Sequence, residues 1–444
     1  MERQNLYKDI CGSVAVKFLI VFCLAAAALV AQDSSSDTSD DVTRRITAAS
    51  EFFDHDFVNV FAFANALWDS RVPELTNNRS AYGGAIGWQV GAGISASHQF
   101  RDGGITLTYS GSYQSYPGGE LSGGTSQSLG LAYSKRLSRR WVFGATVSGG
   151  ILSYGTTYYG ANTTGTSISA NPFSSSSRFL SAAVNATYNQ TRRLSYSFSG
   201  VAFLSNYNYG HAFNSYGGTG SAAVYYRLTA RTTIGGSYSH TYYTYSQNAG
   251  TSNIDSGLLT LSHRFPDHWQ LDLSAGINRV HSQGDITIPV SFILNGQTVA
   301  GYLTGPYSRS VYSPAFQGVL SRVYRHSSLS ISGGQTIGPG NGTYLGSRSQ
   351  FANALYSVST VHRSSIGFGG TYIRLSSVSN TVSQAYSTYD LSANYGINLI
   401  RYLNANFRYD FVHYDGFFGY GSLNESRATF GLSLSSKSIP LTLF

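Results

Sequence analysis

The chain has 444 residues, 49 of them Gly and 34 Tyr, with 11% charged residues and a net charge of +8. An ordinary soluble domain carries about 25% charged residues, and long helices favour Ala, Leu, Glu, Lys and Met, of which Met occurs once here. Nine Pro exclude a Pro-rich disordered chain, and the Ser, Thr, Gly and Tyr that dominate suit strands and turns.

Residues 1–31 read as a secretory signal peptide. Arg3, Lys8 and Lys17 supply the positive region and Phe18–Val30 the apolar run, with cleavage expected after Ala31 or at an Ala26-x-Ala28 site. The apolar run is shorter than the roughly 20 residues of a spanning helix. Both cysteines, Cys11 and Cys23, fall inside this segment. The mature chain then has none, which excludes a disulfide scaffold and a Cys-based metal site. Residues 32–56 carry seven acids and two arginines among many Ser and Thr, and read as a flexible acidic leader.

Strand-like segments occupy the rest. The clearest hairpin is Ser128–Gly149. Leu129, Leu131 and Tyr133 fall on one face, with Ser128, Gly130, Ala132 and Ser134 on the other. After the basic turn Ser138-Arg139-Arg140, Trp141, Phe143, Ala145 and Val147 alternate with Gly144, Thr146 and Ser148. Side chains alternate faces only along a strand. The same unit recurs, giving eighteen segments at about 57–68, 85–100, 104–116, 125–138, 141–154, 178–191, 194–207, 221–230, 232–246, 253–265, 269–283, 314–325, 328–338, 349–362, 364–376, 385–400, 403–414 and 427–436. The connectors alternate. One set is tight and mostly basic, as at Arg101-Asp102, Arg139-Arg140, Arg192-Arg193 and Arg401. The other is long and rich in Gly, Ser, Tyr and Asn. Most tight turns lie 36–39 residues apart. A propeller blade would hold four strands in such a period, whereas each period here holds two long ones. A soluble sandwich or solenoid is the alternative.

One face of each segment is compatible with lipid. Ile86, Trp88, Val90, Ala92 and Ile94 form one such row; Leu403, Ala405, Phe407 and Tyr409 form another. The opposite face carries Thr106, Thr108 and Ser110, or Asn404, Asn406, Arg408 and Asp410. In hydrocarbon every backbone polar group needs a partner, so such a sheet must close. Apolar-out, polar-in alternation over ~10-residue segments is the signature of an outer-membrane barrel. Phe100 and Phe265 end strands before tight turns, and Trp141 and Trp269 open strands after them, positions that fit a periplasmic aromatic girdle. The expected fold is all-β: a transmembrane antiparallel up-and-down β-barrel of about 18 strands over 57–444, with 16 or 20 as alternatives. With its signal peptide, Cys-free mature chain, hairpin period and terminal Phe444, the chain resembles the porin-like outer-membrane β-barrel proteins of Gram-negative bacteria. The resemblance is one of architecture and rests on no motif. Such barrels usually end in an alternating strand with a final aromatic. Phe430, Leu432 and Leu434 alternate, but Ser436–Phe444 does not, and Pro440 removes a ladder donor. The closing strand is therefore expected to end before Pro440.

No enzyme constellation emerges. His326-x-Ser328 and His362-x-Ser364 superficially resemble a hydrolase pair but sit at tight turns, and the ten His show no metal-ligand spacing. Gly367, Gly369 and Gly370 precede no Lys-Ser/Thr and are not a phosphate loop. A 25-residue leader is too short for a plug domain. About half of the Lys and Arg beyond the leader cluster at tight turns, as a solvated rim against headgroups. The inner face then carries few charges: Asp272, Asp390, Arg408 and Asp410, with Arg136 and Arg264 near the tight-turn mouth. Finally, Ile286, Ile288, Val290, Phe292 and Leu294 alternate up to Asn295-Gly296, a strong hairpin signal. Either the flanking strands continue past the membrane, or the hairpin folds into the lumen, or it adds two wall strands. Pro289 in mid-wall and the absence of a basic flank oppose the last.

The expected role is passive diffusion of small hydrophilic solutes through the outer membrane, with no cofactor, metal or nucleic acid. Outer-membrane lipid and lipopolysaccharide and the barrel-assembly machinery are the expected partners. The alternative is a structural or surface-interaction barrel with an occluded lumen and Tyr-rich outer loops.

Overall fold

The computed structural model describes residues 57–70, 84–117, 124–153, 176–207, 214–246, 250–294, 297–338, 347–360, 363–378, 385–415, 422–436 and 439–440. The expected signal peptide, the acidic leader, Asn295, Gly296 and Phe444 lie outside the described residues. The strands are β1 (Phe57–Asp69), β2 (Ala85–Phe100), β3 (Gly103–Ser115), β4 (Gly124–Arg136), β5 (Trp141–Ser153), β6 (Ser176–Asn189), β7 (Leu194–Tyr207), β8 (Ser215–Arg227), β9 (Thr232–Tyr245), β10 (Gly250–Arg264), β11 (Trp269–Leu294), β12 (Gln297–Val323), β13 (Ser327–Gly338), β14 (Ser347–Ser359), β15 (Ser364–Ser377), β16 (Ala385–Ile400), β17 (Leu403–Asp415), β18 (Leu423–Ser435) and the two-residue β19 (Ile439–Pro440).

Each strand pairs antiparallel with the next, and β1 pairs with both β2 and β18, so the wall closes at eighteen strands. Closure leaves no edge with unpaired backbone groups. Serines tie the β1–β18 seam at each end. Ser70 N donates to Ser426 O (2.8 Å) while Ser426 N donates to Ser70 Oγ (2.8 Å). Ser436 N donates to Val60 O (2.7 Å) and Val60 N to Ser436 Oγ (2.9 Å).

The alternation sorts as the sequence pattern implies. Ile86, Leu129, Leu180, Leu259 and Phe430 are among many large apolar residues standing exposed, and they share one parity around the wall, which is the outer face. On the inner face small polar residues pair across strands: Ser110 with Ser128 (2.7 Å), Ser199 with Ser221 (2.6 Å), Thr219 with Thr241 (2.9 Å) and Ser252 with Ser282 (2.9 Å). Cross-strand hydroxyl pairs of this kind add modestly to sheet stability, and they give the lumen a hydrogen-bonding surface.

Tight turns join the strands at one end. Three share a local device that the basic residues mask in the sequence. Ser138 Oγ accepts from the backbone N–H of Arg140 (3.2 Å) and Trp141 (3.1 Å). Thr191 Oγ1 accepts from Arg193 (3.2 Å) and Leu194 (3.0 Å), and Thr229 Oγ1 from Arg231 (3.1 Å) and Thr232 (3.0 Å). A hydroxyl folding back on the chain stabilises a turn. Asp267 and His268 take positive φ (61° and 64°) between β10 and β11, which Asp and His tolerate better than branched residues.

Several boundaries differ from the sequence pattern. β8 begins at Ser215 and β18 at Leu423, because ladder pairing carries residues that have no apolar alternation of their own. The closing strand β18 ends at Ser435, before Pro440 as the pattern implies, and Pro440 then lies opposite Phe57 in the separate two-residue β19. β11 and β12 stay paired from Trp269↔Arg322 to Leu294↔Gln297, whereas β10 accompanies β11 only as far as Gln283. The eleven residue steps beyond Gln283 form a two-stranded ribbon about 35 Å long at 3.3 Å per residue. It continues two wall strands and does not add two, so the barrel does not reach twenty.

Candidate functional site

The lumen wall is the candidate site, and register fixes which side chains line it. Asp390, Arg408 and Asp410 share the inner parity of β16 and β17, through the pairs Asp390↔Val412, Ser392↔Asp410 and Asn394↔Arg408. Arg408 Nε donates to both Asp410 oxygens (2.8 and 2.9 Å). Asp390 Oδ1 is buried and has no hydrogen-bond partner among the described residues. Asp272 stands on the inner face of β11, accepting from Gln270 Nε2 (3.1 and 2.8 Å). Arg136 and Arg264 have inner parity in the last residues of β4 and β10, at the tight-turn end, and are exposed. These six residues do not form one cluster. Three stand on β16–β17, and the others are spread across β4, β10 and β11.

The structure adds a charged group that sequence spacing does not reveal. Asp69 at the end of β1 is opposite Arg427 in β18. Arg427 Nε donates to Asp69 Oδ1 (2.7 Å) and its Nη2 to Glu425 Oε1 (3.2 Å), and Tyr116 donates its hydroxyl to Asp69 Oδ2 (2.6 Å). Asp69 is fully buried. Burial, then the Asp69 carboxylate, pushes the Tyr116 phenol above its ordinary range, so it stays a donor. Register carries this group on to Asp410, which lies opposite Arg427, and to Val412 opposite Glu425. The inner wall across β16, β17, β18 and β1 thus holds four carboxylates against two guanidiniums. The only sequence signal was the inner parity of Glu425 and Arg427, and closure supplied their partner from 358 residues away.

A second sector of the lumen is apolar. Tyr243, Tyr245, Ile254 and Val280 have inner parity on β9, β10 and β11, and form a buried cluster with Val378, which follows β15. Phe203, Val311 and Ile337 pack against it. Val280 is 1% exposed. The inner face is therefore not uniformly polar: toward the long-loop end its β9–β11 sector carries a hydrophobic core of its own.

The aromatics expected as a girdle have outer parity at the tight-turn end. Phe100 lies 5.9 Å from Tyr133, Trp141 4.9 Å from Tyr188, and Phe265 4.4 Å from His263. Arg322 stands over Trp269 (5.2 Å) and Tyr324 (5.0 Å), a cation–π arrangement suited to a surface that is half apolar and half wet. Asn295 and Gly296 lie between the paired Leu294 and Gln297 but outside the described residues. Among the described residues no group of three His, Cys, Asp or Glu could hold a metal.

No family model and no curated protein matches the chain. Among solved structures it is similar to OpdQ of Pseudomonas aeruginosa, at 10% identity and a TM-score of 0.42, covering 88% of this chain and 100% of that one. It is similar to OpdO of the same organism (12%, 0.43, 87% and 98%) and to a BenF-like porin from Pseudomonas fluorescens Pf-5 (13%, 0.43, 86% and 100%).

Proposed function

We propose that the chain is an outer-membrane barrel through which small hydrophilic solutes diffuse passively. The observation that carries this reading is the wall itself: eighteen closed strands, apolar outside and lined inside by Ser, Thr, Asn and Gly. Barrels of 16–18 strands leave an aqueous channel. The apolar outer belt needs hydrocarbon, and the arginine-bearing tight turns suit the periplasmic side, where they meet phospholipid headgroups beside the Phe100, Trp141, Phe265 and Trp269 rings. The long loops and the β11–β12 ribbon then face outward. The amino-terminal segment serves export, and the assembly machinery of such barrels inserts the chain. In the lumen Asp390, Arg408, Asp410, Asp272, Arg136 and Arg264, together with Asp69, Glu425 and Arg427, set the ion preference, because fixed charges in a pore bias which ions enter.

The purified barrel in a planar bilayer should give unitary conductance steps, and a salt gradient should give a reversal potential that lumenal charge substitutions move. A second reading has one observation behind it. The buried cluster around Val280 lies on the lumen face, and a barrel occluded there would serve structure or surface contact. Absence of steps from a heat-modifiable, correctly folded sample would favour that reading over the pore.

A further inference from the structure

The outer wall carries a feature that a uniform lipid belt does not require. Across β7–β11 an apolar groove of about 670 Å³ runs between Phe198, Leu259 and Ile277, with Ala222, Gly236 and Gly257 as its floor. The glycines are not there to let the wall pack. A Cβ built on Gly257 meets nothing within 4 Å, and one on Gly236 meets its nearest atom at 3.9 Å. Inner-face glycines behave differently: a Cβ on Gly93 would lie 2.3 Å from the Phe61 ring. The outer glycines keep space open toward the membrane.

Directly above the groove, toward the long-loop end, the next outer row is polar. It reads Gly220, His240, Asp255, Arg279 and Tyr312 by strand register. Tyr238, which lines the groove, donates its hydroxyl to Asp255 Oδ1 (2.8 Å), and His240 Nδ1 lies 2.8 Å from the same oxygen. Groove and polar row are thus joined by one side chain. Arg279 is exposed beside them, and Tyr312 is 65% exposed. In the row above, His281 Nδ1 lies 2.9 Å from Ser310 Oγ. Arg279 is ten residues along β11 from Trp269. At about 3.3 Å per residue and a tilt of about 40°, that is about 25 Å above the aromatic girdle, the height of the apolar band of such barrels. The cluster therefore stands where acyl chains end and headgroups begin.

We infer that β7–β11 hold one specific lipid of the outer leaflet: a phosphorylated glucosamine lipid with amide- and ester-linked chains. One acyl chain fills the groove over Gly236 and Gly257. A phosphate meets the Arg279 guanidinium, which can bind two of its oxygens at once. The Asp255 carboxylate, oriented by Tyr238 and His240, accepts from a sugar hydroxyl or amide N–H. A zwitterionic phospholipid offers no sugar donors, and its ammonium competes with Arg279 for the phosphate; because that ammonium can also pair with Asp255, it is the competitor that the test includes. The inference rests on the membrane placement proposed above.

The test is native mass spectrometry of the whole barrel in detergent with purified lipid A or phosphatidylethanolamine added. Wild type should retain one lipid A per barrel. Arg279→Glu should lower its apparent affinity at least about tenfold, the equivalent of one lost charge-assisted contact. Gly257→Leu should lower it too while leaving heat-modifiability intact. Equal retention by wild type and both variants would overturn the inference, as would phosphatidylethanolamine held as tightly as lipid A. A wild-type oligomer split by Gly257→Leu would also overturn it, by assigning the groove to a second copy. Conductance in a phospholipid bilayer without lipid A checks the pore separately, so either reading can fail while the other stands.

Discussion

The seam where β18 meets β1 and the opposite run of β9–β12 are the same kind of wall with different contents. At the seam the inner face holds Asp69, Glu425 and Arg427 in an ion-paired group with Tyr116. Across β9–β11 the inner face holds Tyr243, Tyr245, Ile254 and Val280 in a dry cluster. Both lie on the inner side of the same closed wall. The difference teaches that inner parity assigns a residue to the lumen but does not make it wet. Each inner side chain is wet or buried according to what packs over it.

The comparison breaks most sharply at the seam. Arg427→Ala leaves the buried Asp69 and Glu425 carboxylates without their cation, and removing one member of a buried pair costs about 3–5 kcal/mol. The barrel should lose heat-modifiability at a markedly lower temperature than wild type. The joint change Asp69→Leu, Glu425→Leu and Arg427→Met should recover most of that loss, since replacing every member of a buried ion-paired group is often close to neutral. If the triple variant is as unstable as the single one, the seam charges are not acting as one group.

In the apolar sector Tyr243→Ala deletes a ring that is 4% exposed. Truncating a buried aromatic costs about 3 kcal/mol, and the space left lies in the lumen, so unitary conductance should rise. An unchanged conductance at unchanged fold would remove this cluster from the ion path.

A smaller effect separates charge from packing. Arg408 is half-exposed and pairs with Asp410. Arg408→Ala should shift stability by no more than about 1 kcal/mol, yet it leaves the four inner carboxylates of this wall against Arg427 alone. The reversal potential should move toward cations. A fixed potential would mean that the β16–β17 wall does not face the permeating ions. The smallest effect on the barrel is expected at the ribbon: a tag between Asn295 and Gly296 should leave folding intact and be labelled on intact cells. Labelling only after the outer membrane is broken would reverse the proposed orientation.

Much of this architecture was legible in the residues. The alternation of Leu129, Leu131 and Tyr133 with Ser128, Gly130 and Ala132 located a strand and its two faces, and basic turns every 36–39 residues gave the strand count. Asp390, Arg408 and Asp410 were visible because they interrupt a polar row at a fixed period of two. Asp69 was not, because it ends a strand whose alternation stops one residue earlier. The cluster around Val280 escaped for a different reason. Tyr, Ile and Val are common on both faces of a strand, so composition alone does not separate a lumen core from a lipid belt.

Local chemistry therefore determined strands, turns, faces and closure: a period of two needs no partner to be read, and a lipid-compatible sheet has to close on itself. Tertiary structure alone decided which residues meet. Asp69 and Arg427 become neighbours only when the first strand finds the last. Val378 reaches Val280 only across the lumen. Asp255 gathers Tyr238, His240 and Arg279 only when three strands take one register. Those contacts depend on pairing between distant segments, which no window of the sequence contains.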